Sequence, residues 1–88
     1  KIAAVFEVEN STDFIGAIAR SSHISTEIPK FMIVPERRIK EFLNFKDPLF
    51  VQSFKDNNWR YCDFQTIQTL NTARNVTLEM ILENSKEL

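Results

Sequence analysis

The sequence has little of the residues on which many cofactor sites depend. Its 88 residues include one glycine, one cysteine and one histidine. A single glycine excludes the glycine-rich loops that bind the phosphates of dinucleotides and nucleoside triphosphates. One cysteine and one histidine exclude a disulfide framework and a zinc site built from these residue types. The chain therefore carries neither a nucleotide-binding loop nor a Cys/His zinc centre.

Charge and hydrophobicity exclude further classes. Eleven Lys and Arg against twelve Asp and Glu give a net charge of -1, so no overall field attracts nucleic acid or an anionic membrane. No apolar run approaches the roughly 20 residues of a membrane-spanning helix, and no basic-then-apolar leader opens the chain. We therefore expect no membrane partner and a cytoplasmic location. The 43% apolar content is enough for one small core, and we expect residues 1–88 to belong to a single domain.

Apolar runs and helix-start signals alternate along the chain. Strands are predicted over residues 2–9, 30–34 and 59–64. Helices are predicted to begin near residues 10–13, 35–36, 47–48, 65 and 75–77, where capping residues or proline precede apolar periodicity. Two apolar strands separated by a helix imply parallel pairing with a right-handed crossover. The predicted fold class is α/β.

The first helix carries the most detailed prediction. Asn10 or Ser11 can cap it, and Asp13 places a carboxylate in its first turn, where the helix dipole favours negative charge. Three-to-four spacing predicts a buried face that comprises Phe14, Ile15, Ile18 and Ala19. The helix is expected to end near residues 21–22.

Two carboxylates stand at the end of the first predicted strand. Glu7 and Glu9 are two residues apart, so both side chains project from the same face of the strand. Two like charges there cost stability unless a cation or a partner compensates them. Paired carboxylates suit a hard divalent cation such as Mg²⁺, and ligands of open α/β sheets bind at the carboxyl ends of strands. The alternative is that both residues lie on the solvated surface.

The segments around this pair resemble a known nuclease core. Residues 4–13 read AVFEVENSTD and residues 29–38 read PKFMIVPERR, with a predicted helix between them. This arrangement is similar to the PD-(D/E)xK, or restriction-endonuclease-like, nuclease superfamily, especially to members with an acidic pair on that strand followed by Ser or Thr. The resemblance covers roughly the first half of the chain.

The resemblance implies metal-dependent hydrolysis of DNA with Mg²⁺ or Mn²⁺. Glu7 stands where the family places a metal-binding acid. Glu9 stands where most members have a lysine that orients the attacking water, and where some active members have a Glu that acts as ligand or base. The family's further acid, the Asp of its Pro-Asp motif, lies on a preceding strand. Because the sequence opens at Lys1 in an apolar segment, we expect the 88 residues to be the C-terminal part of a longer domain.

Basic residues offer candidate DNA contacts. Arg20 ends the first helix, and Arg37, Arg38 and Lys40 cluster at the start of the second. Each can contact a phosphate, but a solvated helix face is the alternative that we favour. A second hypothesis for the whole chain is a non-catalytic α/β protein-interaction module. The apolar first strand also suggests that a partner strand covers one edge, which leaves a homodimer open.

The remaining reactive or aromatic side chains are predicted to be structural. Trp59, Tyr61 and Phe64 alternate in the third strand, which is more typical of a core than of a base-stacking platform. His23 lies in a polar connector and is expected at the surface. Cys62 alternates within an apolar run and is expected to be buried and inert.

Overall fold

Three parallel strands lie at the centre of the computed structural model, which describes residues 3–9, 14–72 and 76–88. The strands are β1 (Val5–Val8), β2 (Lys30–Val34) and β3 (Trp59–Asp63). β2 lies between the other two and pairs with both in parallel. The predicted α/β class and the predicted parallel pairing are confirmed.

Helices follow each strand in the described parts of the chain. They are α1 (Phe14–Arg20), α2 (Glu36–Leu43), α3 (Pro48–Asp56), α4 (Phe64–Thr72) and α5 (Leu78–Glu83). The order of strands and helices agrees with the sequence-based prediction. In these parts of the chain, no helix combines the length and the apolar character that crossing a membrane requires.

Local signals account for the helix starts that the structure describes. The Asp47 carboxylate accepts a hydrogen bond from the Phe50 amide at 2.9 Å, and Pro48 occupies the first turn of α3. The Thr77 hydroxyl accepts from the Met80 amide at 3.1 Å and caps α5. The backbone of Pro35 is extended (ψ 146°), so Pro35 is the N-cap of α2 and the helix itself begins at Glu36. The predicted cap and first turn of α1, residues 10–13, lie outside the described residues.

The two faces of the sheet bury separate sets of side chains. On one face, β2 and β3 pack against α1, α2 and α3 around an aromatic cluster. Its buried members are Phe14, Ala17, Met32, Val34, Phe42, Phe50, Phe54 and Trp59. On the other face, Phe31, Ile33 and Cys62 pack against α4 and α5. All five residues of β2 are buried because helices cover both of its faces.

The buried face of α1 differs from the prediction. Phe14 and Ala17 are buried and Ile18 packs against the aromatic cluster, but Ile15 and Ala19 are exposed. The Phe14 ring packs against Phe42 and Phe50 in the aromatic cluster, whereas Ile15 lines an open groove beside Leu49 of α3. The prediction is therefore confirmed at Phe14 and Ile18, wrong at Ile15 and Ala19, and missed Ala17.

The two edges of the sheet are unequal. On the β3 edge, Tyr61 and Lys86 exchange main-chain hydrogen bonds of 2.9 Å, so the C-terminal segment covers that edge. On the side of β1 that faces away from β2, no strand among the described residues pairs with Val5–Val8. Phe6 and Val8 are 48% and 55% exposed there. The predicted partner strand or homodimer stays a prediction.

Candidate functional site

Glu7 and Glu9 project from the same face of β1, as predicted. Glu7 stands opposite Met32 in the parallel register, and Met32 belongs to the aromatic cluster under the first three helices. The Glu9 amide donates to the Ile33 carbonyl oxygen at 2.9 Å, which extends the strand pairing to Glu9. Strand alternation therefore directs both carboxylates towards α1.

Arg20, the last residue of α1, bridges the two carboxylates. Its Nη2 atom lies 2.9 Å from Glu7 Oε1 and 2.8 Å from Glu9 Oε2. Its Nε atom donates a further hydrogen bond of 3.1 Å to Glu7 Oε1. One guanidinium nitrogen thus contacts both acids, and Arg20 supplies the compensating cation that the strand pattern required.

Burial increases inwards across this cluster. The side chains of Arg20, Glu7 and Glu9 are 51%, 19% and 1% exposed, respectively. The surface alternative is therefore wrong for Glu9. Ser21, which is buried, also places its hydroxyl 3.4 Å from Glu7 Oε2. The pair faces solvent on the side of Glu7 and Arg20.

Arg38 contacts the main chain at the end of β1. Its Nη1 donates to the main-chain carbonyl oxygen of Glu9 at 3.2 Å, and its guanidinium carbon lies 4.6 Å from the centre of the Phe14 ring. Nε and Nη2 donate to the two carboxylate oxygens of Glu41 at 3.0 and 2.9 Å. This hydrogen-bonded pairing lowers the pKa of Glu41 and raises that of Arg38. Arg38 therefore joins β1, α1 and α2, with a side chain that is only 13% exposed.

The other two predicted DNA contacts lie on the outside of α2. Arg37 and Lys40 are both exposed. Arg37 lines a shallow pocket with Val8, Pro35 and Phe64, on the opposite side of β1 from the acid pair. The structure thus brings Arg20 and Arg38 to the acids and places Arg37 and Lys40 away from the carboxylates, on the surface.

The donor set of the acid pair suits a hard cation. Mg²⁺ is commonly held in proteins by one or two carboxylates, with water and substrate phosphates completing its shell. Glu7 and Glu9 provide two carboxylates that already share one cationic nitrogen. Among the described residues, no group of three or more His, Cys, Asp or Glu side chains could hold a metal ion. Binding of Mg²⁺ or Mn²⁺ by this pair therefore stays a prediction.

The other residues that stood out in the sequence lie either at the surface or in the core. His23 is exposed and Cys62 is buried, as predicted, and burial raises the pKa of the Cys62 thiol. Trp59 is buried and Tyr61 half-buried against the aromatic cluster, whereas Phe64 is exposed.

Sequence reasoning missed one buried charge. Lys30 opens β2, and its Nζ donates to the carbonyl oxygens of Ser25, Ile28 and Asn57 at 2.9, 3.0 and 2.9 Å. Burial lowers its pKa. A lysine at the start of an apolar strand carries no local signal of this role, because its acceptors are brought together only by the fold. Lys30 lies at the opposite end of β2 from Glu9 and takes no part in the acid cluster.

In comparisons with known proteins, no family model, no curated protein and no solved structure matches this chain.

Proposed function

We propose that the protein is a divalent-metal-dependent nuclease that hydrolyses DNA phosphodiester bonds, with a restriction-endonuclease-like core. The observation that carries the proposal is the convergence of Glu7 and Glu9 on a single cationic nitrogen at the end of β1. The sequence resemblance assigns the same two residues to metal binding and catalysis. Strand geometry supports the proposal by placing both carboxylates on one face, and the resemblance, which is based on the same residues, implies their chemical roles.

The two acids have different roles in this proposal. Glu7, which is the more exposed, ligates Mg²⁺ or Mn²⁺. Glu9 acts as a second ligand or accepts the proton of the attacking water. The bound cation supplies a lowered pKa for that water and stabilises negative charge on the phosphate in the transition state. The resemblance also implies a third acid on a strand preceding β1.

The basic residues have two roles in this proposal, namely to position the acid pair and to contact the substrate. Arg38 holds the main chain at Glu9, so its contribution is to keep the acid pair in place. Arg37 and Lys40, on the exposed side of α2, are the candidates for phosphate contacts outside the metal site. Arg20 can contact a phosphate after its guanidinium leaves the carboxylates.

A protein-interaction module is the second candidate, favoured by a different observation. β1 is an edge strand among the described residues, and Phe6 and Val8, on the sheet face opposite Glu7, are about half exposed. Exposed apolar residues on a strand edge are typical of a surface that pairs with another chain. A homodimer through this edge and a cytoplasmic location remain predictions.

Plasmid nicking tests the proposal. The product of the whole gene is purified, incubated with supercoiled plasmid in Mg²⁺, in Mn²⁺ and in EDTA, and compared with its Glu7→Ala variant. We expect nicking that requires the metal and is lost in the Glu7 variant. Glu83→Ala is the matched control, because Glu83 is an exposed acid at the end of α5, and it should nick as the wild type does. Plasmid left uncut in both metals, or cut equally by Glu7→Ala, would contradict the proposal.

A further inference from the structure

The segment that follows α5 lies along the outer edge of β3, and we refer to its residues 85–88 as the strap. Lys86 and Tyr61 exchange two main-chain hydrogen bonds of 2.9 Å, and Leu88 packs against the aromatic cluster. An uncovered strand edge presents main-chain donors and acceptors with which a strand of another chain can pair. The strap therefore blocks that kind of contact at β3.

The pairing between the strap and β3 is short. Tyr61 and Lys86 form an isolated bridge, whereas β2 pairs with β3 over five successive residues. Lys86 and Glu87 are exposed, Ser85 is buried and Leu88 is half-buried. A segment with few main-chain hydrogen bonds and little buried apolar surface opens at a lower free energy than the sheet that it covers.

Open cavities on both sides of the bridge indicate that the strap is loosely packed. One cavity, of about 290 Å³, lies between Trp59 and residues 87–88 of the strap. The other, of about 220 Å³, is lined by Lys86 of the strap and by Tyr61 and Cys62 of β3. Unfilled volume deprives the strap of the dispersion contacts that hold a close-packed segment in place.

Arg60 of β3 fastens the strap where it leaves α5. Its Nε donates to the Ser85 hydroxyl at 2.7 Å, and its Nη2 donates to the Ser85 carbonyl oxygen at 2.6 Å. Nη2 also donates to the carbonyl oxygen of Leu82 at 3.3 Å. Hydrogen bonds from a charged donor are roughly twice as strong as those between neutral groups. One side chain thus supplies much of the attachment.

We propose that the strap is a conformational device that opens from β3 while the sheet stays folded, and that Arg60 sets the fraction of molecules in which it is open. In the open state, the main-chain amide and carbonyl of Tyr61 become available to an extended segment of another chain. The strap and the Glu7/Glu9 pair lie at opposite edges of the sheet, so this device does not depend on the proposed function.

Cys62 reports the opening. It is the one cysteine among the 88 residues, and it is buried with its Sγ 3.4 Å from the carbonyl oxygen of Asn84, the residue before the strap. Because Lys86 and Asn84 line the cavity beside this thiol, departure of the strap uncovers it. The rate at which an alkylating reagent modifies Cys62 in the native protein therefore measures the open fraction.

Alkylation below the urea unfolding transition tests the proposal. The product of the whole gene is treated with iodoacetamide, and modification of Cys62 is measured by peptide mass spectrometry. Because opening of the strap exposes little surface, we expect the rate to change by less than about twofold per molar of urea. Alkylation that required unfolding of the whole domain would accelerate by at least about fivefold per molar. That steep dependence in the wild type would overturn the proposal.

Two variants weaken the attachment of the strap. Arg60→Met loses the charge-assisted hydrogen bonds to Ser85, and we expect alkylation about tenfold faster than in the wild type, with the same shallow dependence on urea. Lys86→Pro lacks the amide that donates to Tyr61 and should also accelerate alkylation. The second variant covers the case in which Arg60→Met does not fold.

Two control variants identify the route to the thiol. Lys46→Met removes an exposed cation away from the strap and should alkylate within about twofold of the wild type. Thr77→Ala removes the cap of α5, which also covers Cys62. If Thr77→Ala accelerated alkylation as much as Lys86→Pro does, fraying of α5 would be the route and the proposal would be overturned. Alkylation of Arg60→Met at the wild-type rate would overturn it as well.

Discussion

Arg38 donates a hydrogen bond from Nη1 to the main-chain carbonyl oxygen of Glu9 at 3.2 Å, which ties the end of the first strand to the second helix. The same side chain stacks on Phe14, at the start of the first helix. The Glu9 carboxylate contacts Nη2 of Arg20 at 2.8 Å. The acid pair is thus held through its main chain by one arginine and through its carboxylates by another.

Removing Arg38 should destabilise the fold. Arg38→Met loses the hydrogen bond to Glu9, the cation–π contact with Phe14 and the pairing with Glu41, and we expect the free energy of unfolding in urea to fall by about 1–3 kcal/mol. Glu41→Gln is the matched control. Glu41 is exposed, so this variant should lose less stability than Arg38→Met does. If the two variants lost the same free energy of unfolding, the effect of Arg38 would come from its ion pair with Glu41 instead.

Glu9 and Arg20 should be energetically coupled. Glu9→Gln removes the charge of the buried partner, and we expect a loss of about 1–3 kcal/mol, below the value for a fully buried pair because Arg20 can turn to water. In the background of Arg20→Gln the same change should cost much less. A double-mutant cycle from urea unfolding measures the coupling, and additive losses would show that the contact contributes nothing to stability.

Lys30 should contribute strongly to stability in spite of its distance from the acids. Lys30→Met leaves three carbonyl oxygens without their donor, and we expect the free energy of unfolding to fall by about 2–4 kcal/mol. Lys55→Met, which removes an exposed lysine from α3, is the control and should cost little. A loss below about 0.5 kcal/mol in Lys30→Met would contradict the assigned contacts.

The same lysine predicts a pH dependence with a definite sign. Burial lowers the pKa of Lys30 in the folded state, and the unfolded value is about 10.4. Between the lowered pKa and 10.4 the unfolded chain binds more protons than the folded one, so this group makes stability rise with pH across that window. Urea unfolding of wild type and Lys30→Met over the alkaline range isolates the contribution as their difference. A difference that shrinks as pH rises would contradict it.

The Cys62 thiol should be protected by the fold. It is buried against the fourth and fifth helices, and burial raises its pKa, so the thiolate that reacts with disulfide reagents is scarce. We expect reaction with a chromogenic disulfide to be slow in the native protein and fast in urea. Reaction at the rate of an unfolded thiol, without denaturant, would contradict the burial of Cys62.

Local sequence signals predicted the fold well where they act within one element. The apolar run of β2 and the Asp47-Pro48 start of α3 appear in the structure as predicted, and Thr77 caps α5 within the predicted range of residues 75–77. The same-face placement of Glu7 and Glu9 was also predictable, because strand alternation is a property of the backbone. The flank of α1 at Ile15 was predicted wrongly, because spacing does not show which side chains the aromatic cluster covers.

Contacts between distant segments could not be predicted from the pattern. Arg20 is thirteen residues from Glu7, and Arg38 is twenty-nine from Glu9. Both arginines were candidate phosphate contacts, since the sequence shows their charge but not their neighbours. The packing of α1 and α2 beside β1 brings them to the acids. The counter-cation of the pair therefore emerged only from the folded chain.

A titration with MnCl₂ that monitors the paramagnetic resonance of free Mn²⁺ measures whether Glu7 and Glu9 form a divalent-cation site. We predict saturable binding by the wild type and at least about tenfold weaker binding by Glu7→Gln, which lacks one of the two carboxylate charges. Glu83→Gln should bind as the wild type does. Equal affinities in the wild type and Glu7→Gln would contradict this prediction.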